Sequence, residues 1–222
     1  MRSPRSLANP NKRPHSGPFF LAQKRQLNGP QGASHTVSGK AQRRGIVVLG
    51  QAVTAVDSGF YRNAAGQPVT WQATLEQAIT AKRSLPPAAE LPRNSREPST
   101  QTRVQVANET TLAAARRLTD SGERVLALNS ANGIQPGGGF LGGARAQEEV
   151  LCRSSALYAT LQGNAMYAAH QQRPLPDSSD WAILSPDVPV FRDDDGTPLD
   201  QPWLLSMLTC AAPYAPGVGF EP

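Results

Sequence analysis

The segment from residue 125 to residue 158, VLALNSANGIQPGGGFLGGARAQEEVLCRSSALY, decides the fold. It starts with a continuous apolar run, which is typical of a buried strand. A polar loop with three consecutive glycines, Gly137, Gly138 and Gly139, follows, and a helix is predicted from about Gly143 onward. In α/β proteins this order of strand, loop and helix places ligands at the carboxyl ends of strands. The segment therefore predicts an α/β fold with its functional site at this loop.

The glycine triplet has two interpretations. Glycine has no Cβ, so the chain can take positive φ angles and its N–H groups can approach a ligand closely, as in loops that hold a phosphate or a sugar. A flexible turn explains three glycines as well. The loop lacks the Lys-Ser/Thr pair of a P-loop and the spacing of a dinucleotide-binding fingerprint, which excludes both nucleotide motifs.

Two adjacent carboxylates, Glu148 and Glu149, follow Gln147 in the first turns of the predicted helix. At about 100° per residue, the apolar stripe of that helix includes Gln147 and leaves both glutamates outside it, so they are predicted not to face the core. Acids in a first turn can simply complement the helix dipole, which lowers a carboxyl pKa. A general acid near neutral pH needs a raised pKa, which burial or a neighbouring like charge supplies. We therefore hypothesise that the glycine loop folds over the start of this helix.

The rest of the sequence also alternates between helix and strand. Thr110 is placed to cap a helix whose apolar stripe includes Leu112 and Ala115, and Val104 and Val106 alternate with polar residues as in a strand. The predicted elements are a helix over residues 45–59, an extended segment at 67–71, a helix near 73–83, a Pro-rich surface connection over 85–100, a strand around 103–107, a helix from 111 and the strand at 125–129.

Charge is unevenly distributed along the 222 residues. Residues 1–44 hold nine of the 22 basic residues and none of the 17 acidic ones, so the remainder is mildly acidic. This tail is rich in Pro, Gly, Ser and Asn and has no apolar periodicity, so we expect it to be disordered. A basic arm can also contact nucleic acid or act as a transit peptide, although four prolines before residue 19 oppose the amphipathic helix of such a peptide.

Length and composition exclude several classes of protein. The length fits one domain, or one domain with a tail. No apolar run approaches the roughly 18 to 20 residues of a transmembrane helix, which excludes a membrane-spanning protein. Cys152 and Cys210 have no second Cys or His at ligand spacing, which excludes a disulfide scaffold and a Cys-based zinc site, so we expect a reducing, cytoplasmic location. His170 has no partner at metal spacing and is assigned no role.

The stretch PGGGFLGGARAQEEVLCRSSALY, residues 136–158, resembles the signature of the bacterial-type (microbial) poly(ADP-ribose) glycohydrolases, a branch of the macrodomain superfamily. That signature is three glycines, a short spacer and then Gln-Glu-Glu, and the spacer here is the seven residues 140–146. Three further features resemble the same family: Asn129 at the end of the preceding strand, the block VANETTLAAARRL at 106–118 and the block ILSPDVPVFRDDDGTPLDQPWLLSMLTCAAP at 183–213. The resemblance covers about residues 44–216.

The resemblance implies a macrodomain-like mixed sheet with flanking helices. It implies an N-terminal helical extension over residues 45–100 and a catalytic core over residues 101–222. The implied activity is hydrolysis of the ribose–ribose O-glycosidic bond of poly(ADP-ribose) with release of ADP-ribose, and no metal or cofactor is required. The partner would be poly(ADP-ribose) or an ADP-ribosylated protein.

The resemblance also implies roles for individual residues. Glu149 would protonate the departing ribose oxygen and then deprotonate the attacking water, and Glu148 would hold hydroxyls of the distal ribose. The aspartates at residues 193–195 are followed by Gly196 and are predicted to form a solvated turn rather than a metal site. The implied substrate-binding residues are Asn129, Gly137, Gly138, Gly139, Phe140 and Gln147.

The sequence departs from the family pattern at its C-terminal end. Members continue beyond the TCAAP position into a second glycine-rich loop and an aromatic residue that stacks on adenine, whereas this sequence ends with YAPGVGFEP. The expectation is therefore an incomplete, C-terminally truncated core. Two alternatives to the enzyme stay open: an ADP-ribose-binding module without turnover, and an inactive fragment.

Overall fold

The computed structural model of the chain describes residues 19–22, 51–91, 102–173 and 178–213. They form a mixed α/β structure with a central five-stranded sheet, flanking helices and a separate two-stranded hairpin. This architecture confirms the predicted α/β class. Within the described residues, no helix has both the length and the apolar character needed to cross a bilayer.

The strands in the described part of the chain are β1 (Phe19–Ala22), β2 (Phe60–Arg62), β3 (Pro68–Thr70), β4 (Arg83–Leu85), β5 (Arg124–Ala131), β6 (Ala182–Arg192) and β7 (Pro198–Ala211). The central sheet has the order β1-β5-β7-β6-β4. Strand β5 lies between β1 and β7 and is parallel to both, whereas β6 is antiparallel to β7 and to β4. Strands β2 and β3 form the hairpin.

The helices of the described residues are α1 (residues 51–58), α2 (Gln72–Ala81), α3 (Thr111–Asp120), α4 (Gln147–Ser154), α5 (Leu157–Leu161) and α6 (Ala165–Gln171). Helices α1 and α2 match the two helices predicted before residue 84. Helix α3 begins as predicted, because the Thr110 side chain accepts a hydrogen bond from the Ala113 N–H. Leu112 and Ala115 of its apolar stripe are buried.

The N-terminal elements share one hydrophobic core with the central sheet. Tyr61 of β2, Trp71 just before α2 and Phe191 of β6 contact one another, with ring centroids 4.5 to 5.7 Å apart. Leu75 of α2 belongs to the same core. The segment predicted as a helical extension therefore contains the strands β2, β3 and β4 as well as helices, and β4 is part of the central sheet. The domain boundary at residue 100 stays a prediction.

The prediction of a strand around residues 103–107 is wrong. Residues 102–107 have no regular secondary structure, and Val104 and Val106 are 83% and 87% exposed. The place beside β5 is taken by β1, which pairs with residues 124–127. Strand β1 lies inside the tail that was predicted to be disordered, and its sequence Phe-Phe-Leu-Ala is rich in aromatic and apolar residues that suit a strand. The other residues of that tail lie outside the described ranges.

The segment predicted to form one helix from Gly143 forms two shorter helices instead. After a 3₁₀ turn at Phe140–Gly142, Gly143 takes a left-handed conformation with a φ of 86°, and α4 begins only at Gln147. Ser155 is extended and bridges to Val190 of β6, so α5 is a separate helix. A single helical wheel over the whole stretch therefore does not hold beyond Ser155.

Gln147 ties the start of α4 to the outer edge of β5. Its Oε1 accepts a hydrogen bond of 2.9 Å from the Ser130 N–H, and its Nε2 donates one of 2.8 Å to the Leu128 carbonyl. Nε2 also donates to Thr111 Oγ1 at 3.0 Å. A parallel neighbouring strand would use the same two backbone groups of β5. The side-chain amide therefore takes the place of a strand just beyond the end of β1, and it fixes α4 beside the carboxyl end of β5.

Replacing Gln147 with leucine removes these three hydrogen bonds and leaves two partly buried backbone groups without this partner. Since an unsatisfied buried group costs about 1–3 kcal/mol, we expect Gln147→Leu to lower the free energy of unfolding by about 2 kcal/mol or more in urea. Gln72→Leu, at an exposed glutamine of α2, is the control and should change it by less than about 0.5 kcal/mol. Equal destabilisation by the two changes would contradict the anchoring role.

Candidate active site

The loop between β5 and α4 folds back over the first turn of α4. Asn132 starts it, because its Oδ1 accepts hydrogen bonds from the N–H groups of Ile134 at 2.9 Å and Gln135 at 3.0 Å. Gly137 and Gly138 then take φ angles of 72° and 56°, in the left-handed region that favours glycine. These turns place the glycine backbone directly against the two glutamates of α4.

Glu148 holds the loop through both of its oxygens. Its Oε2 accepts a hydrogen bond of 2.7 Å from the Asn132 N–H, and its Oε1 accepts one of 3.1 Å from the Gly137 N–H. The residue is only 4% exposed. One carboxylate thus joins two loop positions that are five residues apart in the sequence.

Glu149 has one oxygen bound and one oxygen free. Its Oε1 accepts a hydrogen bond of 2.9 Å from the Gly139 N–H. Its Oε2 is buried and has no hydrogen-bond partner among the described residues, and the residue is 7% exposed. The loop covers both carboxylates, as the hypothesis from the sequence required.

The loop fits over the carboxylates only because residue 138 has no side chain. A Cβ on Gly138 would lie 2.6 Å from Glu149 Oε1 and 3.0 Å from Glu148 Oε2. The N–H groups of the three glycines are all used inside the protein: that of Gly138 donates to the Gln135 carbonyl at 3.0 Å, and the other two bind the glutamates. In this structure the loop therefore offers backbone without Cβ atoms rather than free donors, and contact of the three glycines with a ligand stays a prediction.

The electrostatics of the site centre on Glu148. Burial raises the pKa of Glu148 to about 7, and the charge of the adjacent Glu149 acts in the same direction. Hydrogen bonds from the Asn132 N–H, the Asn129 side chain and the Gly137 N–H oppose this rise in pKa. Glu148 therefore changes its protonation near neutral pH, the range in which general acid–base chemistry operates.

Two further buried polar atoms lie in this region without a hydrogen-bond partner among the described residues, Asn129 Oδ1 and the Tyr167 hydroxyl. Asn129 donates from Nδ2 to Thr209 Oγ1 at 3.2 Å. Burial raises the pKa of Tyr167, and the charge of Glu148 raises it further. Because buried polar atoms are nearly always paired, these atoms mark places for a ligand or water. Sequence reasoning missed both residues: Tyr167 lies outside the recognised blocks, and Thr209, although it lies within the block at 183–213, was given no role.

Phe140 and Gln147, both expected among the substrate-binding residues, make contacts within the protein in this structure. Phe140 is buried and packs against Tyr158 with ring centroids 5.1 Å apart. Both amide hydrogens of Gln147 are donated within the protein, to Leu128 and Thr111. Direct contact of either side chain with a ligand stays a prediction.

His170, to which the sequence assigned no role, anchors the loop from α6. Its Nδ1 lies 3.0 Å from the Gly133 carbonyl oxygen, and its Nε2 lies 2.6 Å from Ser179 Oγ. The ring is buried. A histidine with both nitrogens engaged in this way positions the start of the loop, and no sequence motif could have indicated it.

The aspartates at residues 193–195 form the predicted turn between β6 and β7, in which the Gly196 N–H donates to the Asp193 carbonyl at 3.0 Å. This turn and Trp203 line a cavity of about 520 Å³ along α3. A second cavity, of about 220 Å³, lies beside the starts of α3 and α4. Neither cavity is lined by Glu148 or Glu149, so both are separate from the covered carboxylates.

Gly138→Ala should destabilise the protein because the added Cβ meets the Glu149 carboxylate. The left-handed conformation alone costs about 1–2 kcal/mol with a side chain, and the collision adds to it, so we expect a loss of about 3 kcal/mol or more in thermal unfolding. Gly122→Ala is the matched control, since Gly122 has a φ of 86° and open space around its Cβ position. Equal losses at the two glycines would show that the carboxylates do not constrain residue 138.

The raised pKa of Glu148 predicts how stability depends on pH. The folded carboxyl keeps its proton up to about pH 7, whereas the unfolded one releases it near pH 4.5. The free energy of unfolding should therefore fall by about 3 kcal/mol as the pH rises from 4.5 to 7. Urea unfolding at several pH values should show this slope in the wild type and in the exposed control Glu90→Gln. A slope of the same size in Glu148→Gln would refute its origin in this residue.

Comparison with known proteins agrees with this geometry. The family described as microbial-type PARG, catalytic domain, matches residues 50–193. Two similar solved structures are a poly(ADP-ribose) glycohydrolase (PARG) from Thermomonospora curvata, at 40% identity and a TM-score of 0.72, and one from Deinococcus radiodurans in complex with ADP-ribose, at 39% identity and a TM-score of 0.56.

The matches cover 77% and 63% of this chain. The chain spans 65% of the length of the Thermomonospora protein and 58% of the length of the Deinococcus protein. No curated protein matches it. The family match covers well over half of the sequence and includes the glycine loop and both glutamates. The chain therefore belongs to the microbial-type PARG catalytic-domain family.

Proposed function

We propose that this chain hydrolyses the ribose–ribose O-glycosidic bond of poly(ADP-ribose) and releases ADP-ribose. The observation that carries the proposal is the buried, unpartnered Oε2 of Glu149 beneath the glycine loop. A carboxyl oxygen that is shielded from water and makes no internal hydrogen bond is available to exchange a proton with a bound substrate. The similar Deinococcus structure, a poly(ADP-ribose) glycohydrolase in complex with ADP-ribose, supports this choice of substrate.

The proposed mechanism uses Glu149 as acid and then as base. Its carboxyl gives a proton to the departing ribose oxygen as the glycosidic bond breaks, and the resulting carboxylate takes a proton from the water that adds to the anomeric carbon. The glycosidic bond breaks through an oxocarbenium-like state, so negative charge nearby lowers the barrier. Each cycle consumes one water and leaves Glu149 in its starting protonation state.

Glu148 has a supporting part in this proposal. Both of its oxygens accept hydrogen bonds from the loop, but each carboxylate oxygen has a further lone pair and can accept from a ribose hydroxyl. Its carboxylate also supplies negative charge beside the reacting carbon. The unfilled Oδ1 of Asn129 is the acceptor that we assign to a hydroxyl of the terminal ribose.

The glycine loop would form the wall of the sugar site. Gly137, Gly138 and Gly139 have no Cβ atoms, so a ribose and its diphosphate can pack on the backbone itself. Since their N–H groups are occupied within the protein, the contact is one of shape rather than of hydrogen bonding. Phe140 supports this wall from behind, through its contact with Tyr158.

The proposal extends to partners and setting. An ADP-ribosylated protein is a second form of the same substrate, and the architecture is assigned to the macrodomain superfamily. Both cysteines have free thiols, which supports a cytoplasmic location. Contact of the basic tail with nucleic acid or with the anionic polymer stays a prediction. It would be supported if deletion of residues 1–44 removed a salt-dependent part of the affinity for either of them.

Release of ADP-ribose from labelled poly(ADP-ribose) tests the proposal directly. Glu149→Gln keeps the size of the side chain but cannot give or take the proton, so we expect the rate to fall by about 10²–10⁴-fold. Glu90→Gln, at an exposed glutamate, should keep the wild-type rate. Isothermal titration with ADP-ribose should show that Glu149→Gln still binds the product.

The outcomes separate the candidate functions. Wild-type release that depends on Glu149 supports the glycohydrolase. Binding of ADP-ribose by a wild type that releases none would identify a binding module, and neither binding nor release would identify an inactive chain. Equal release by wild type and Glu149→Gln would defeat the mechanism.

A further inference from the structure

A buried amide–hydroxyl pair connects the two central strands directly beneath the candidate active site. Asn129 of β5 and Thr209 of β7 are partners in the sheet register. Both residues are 0% exposed. Asn129 Nδ2 donates a hydrogen bond of 3.2 Å to Thr209 Oγ1. Both side chains are fully buried, so the hydroxyl is a defined partner for the amide.

The same amide also faces the carboxylate of Glu148. As a neighbouring hydrogen-bond donor, the Asn129 side chain lowers the pKa of Glu148, and only its Nδ2 can donate to a carboxylate. Two acceptors, the Thr209 hydroxyl and the Glu148 carboxylate, therefore lie on the Nδ2 side of the amide. The carboxylate fixes which way the amide is turned, because the reverse orientation would place Oδ1 against a carboxylate oxygen, and the Thr209 hydroxyl then holds the amide in place.

This orientation leaves one atom of the amide without a partner. Asn129 Oδ1 is buried and accepts no hydrogen bond within the described residues. A buried acceptor without a partner costs about 1–3 kcal/mol, which a bound hydroxyl group would recover. The amide is planar, so whatever holds Nδ2 also determines where Oδ1 points.

We propose that Thr209 is a positioning residue, whose hydroxyl holds the Asn129 amide with Nδ2 on Glu148 and Oδ1 turned to the bound ribose. The ribose part of this inference rests on the proposed function, whereas the effect on Glu148 does not. Thr209 itself touches neither Glu148 nor the substrate in this scheme. Without its hydroxyl the amide loses one of its two anchors, and its hydrogen bond to the carboxylate weakens.

The surroundings of Glu148 set what a titration would report. The titratable groups that couple to it are Glu149 and Cys152 on α4 and Tyr167 on α6. The remaining donors to its carboxylate are backbone N–H groups of the loop. A change at Thr209 leaves all of these in place, so a shift in the titration of Glu148 would come through Asn129.

Two pairs of substitutions separate the hydroxyl of Thr209 from its methyl group. The wild type and Thr209→Ser have the hydroxyl, whereas Thr209→Val and Thr209→Ala lack it. The titration of Glu148 can be followed by ¹³C NMR of the full chain labelled at Glu Cδ, in which Glu148→Gln identifies the signal. We expect the wild type and Thr209→Ser to share one titration midpoint for Glu148. Val and Ala should share a midpoint roughly 0.5–1 pH unit higher, because the carboxylate loses part of a stabilising hydrogen bond.

Thr160→Val is the matched control. Thr160 is a buried threonine of α5 whose hydroxyl lies 2.8 Å from Ser185 Oγ, away from Asn129 and Glu148. It makes the same chemical change in a similarly buried place, so the midpoint of Glu148 should stay where the wild type has it. A shift of equal size in Thr160→Val would overturn the proposal.

The titration midpoints of Glu148 in the wild type and the three Thr209 variants decide whether the hydroxyl positions the amide or the methyl group packs the site. If the midpoints pair as Thr with Val and Ser with Ala, the methyl group matters and the proposal fails. It also fails if all four midpoints coincide. Release of ADP-ribose, measured over the same pH range, should show its pH profile shift together with the midpoint. If the wild type releases none while the midpoints group by hydroxyl, the proposed function fails and the positioning role stands.

A measurement on the wild type tests the proposal even if the Thr209 variants do not fold. Both Nδ2 protons of Asn129 should be protected from hydrogen exchange, and one should change its chemical shift as Glu148 titrates. Rapid exchange of both protons, or no response to the titration of Glu148, would overturn the proposal without any substitution.

Discussion

The site depends on the burial of two adjacent carboxylates beneath a backbone that has no side chains where it crosses them. Removing a carboxylate from water costs several kcal/mol unless hydrogen bonds replace the lost hydration. Here the N–H groups of Asn132, Gly137 and Gly139 supply that replacement. Closure of the loop and burial of the glutamates are therefore a single structural event, and the glycine at residue 138 is required by the carboxylates themselves.

Some short-range patterns in the sequence were reliable guides, although the single helix expected from Gly143 was not one of them. The Thr110 cap of α3 and the cover of the glycine loop over the start of α4 involve residues close together in the chain, so their physics is visible in a local stretch. The strand at residues 103–107 was mispredicted because a strand needs a partner from elsewhere in the chain. The outer edge of β5 was taken by β1, a segment about a hundred residues away, which no local pattern indicates.

The difference between the two glutamates was also beyond reach of the sequence. Their adjacency is plain from the letters, but which oxygen stays free depends on the path of the loop. Glu148 uses both oxygens on the backbone and has its pKa raised by burial, whereas Glu149 keeps Oε2 unpartnered. The hydrogen bond between Asn129 and Thr209 likewise appears only when β5 and β7 are side by side.

The side-chain amide of Gln147, at the start of α4, also affects which backbone groups of β5 are open to another chain. An open sheet edge invites another chain to add a strand, which is a common route to aggregation. Strand β1 covers the first half of the outer edge of β5, and Gln147 occupies Leu128 and Ser130 in the second half. A foreign strand would have to displace both to pair with β5, so the residue that fixes the helix also closes the end of this strand against strand addition.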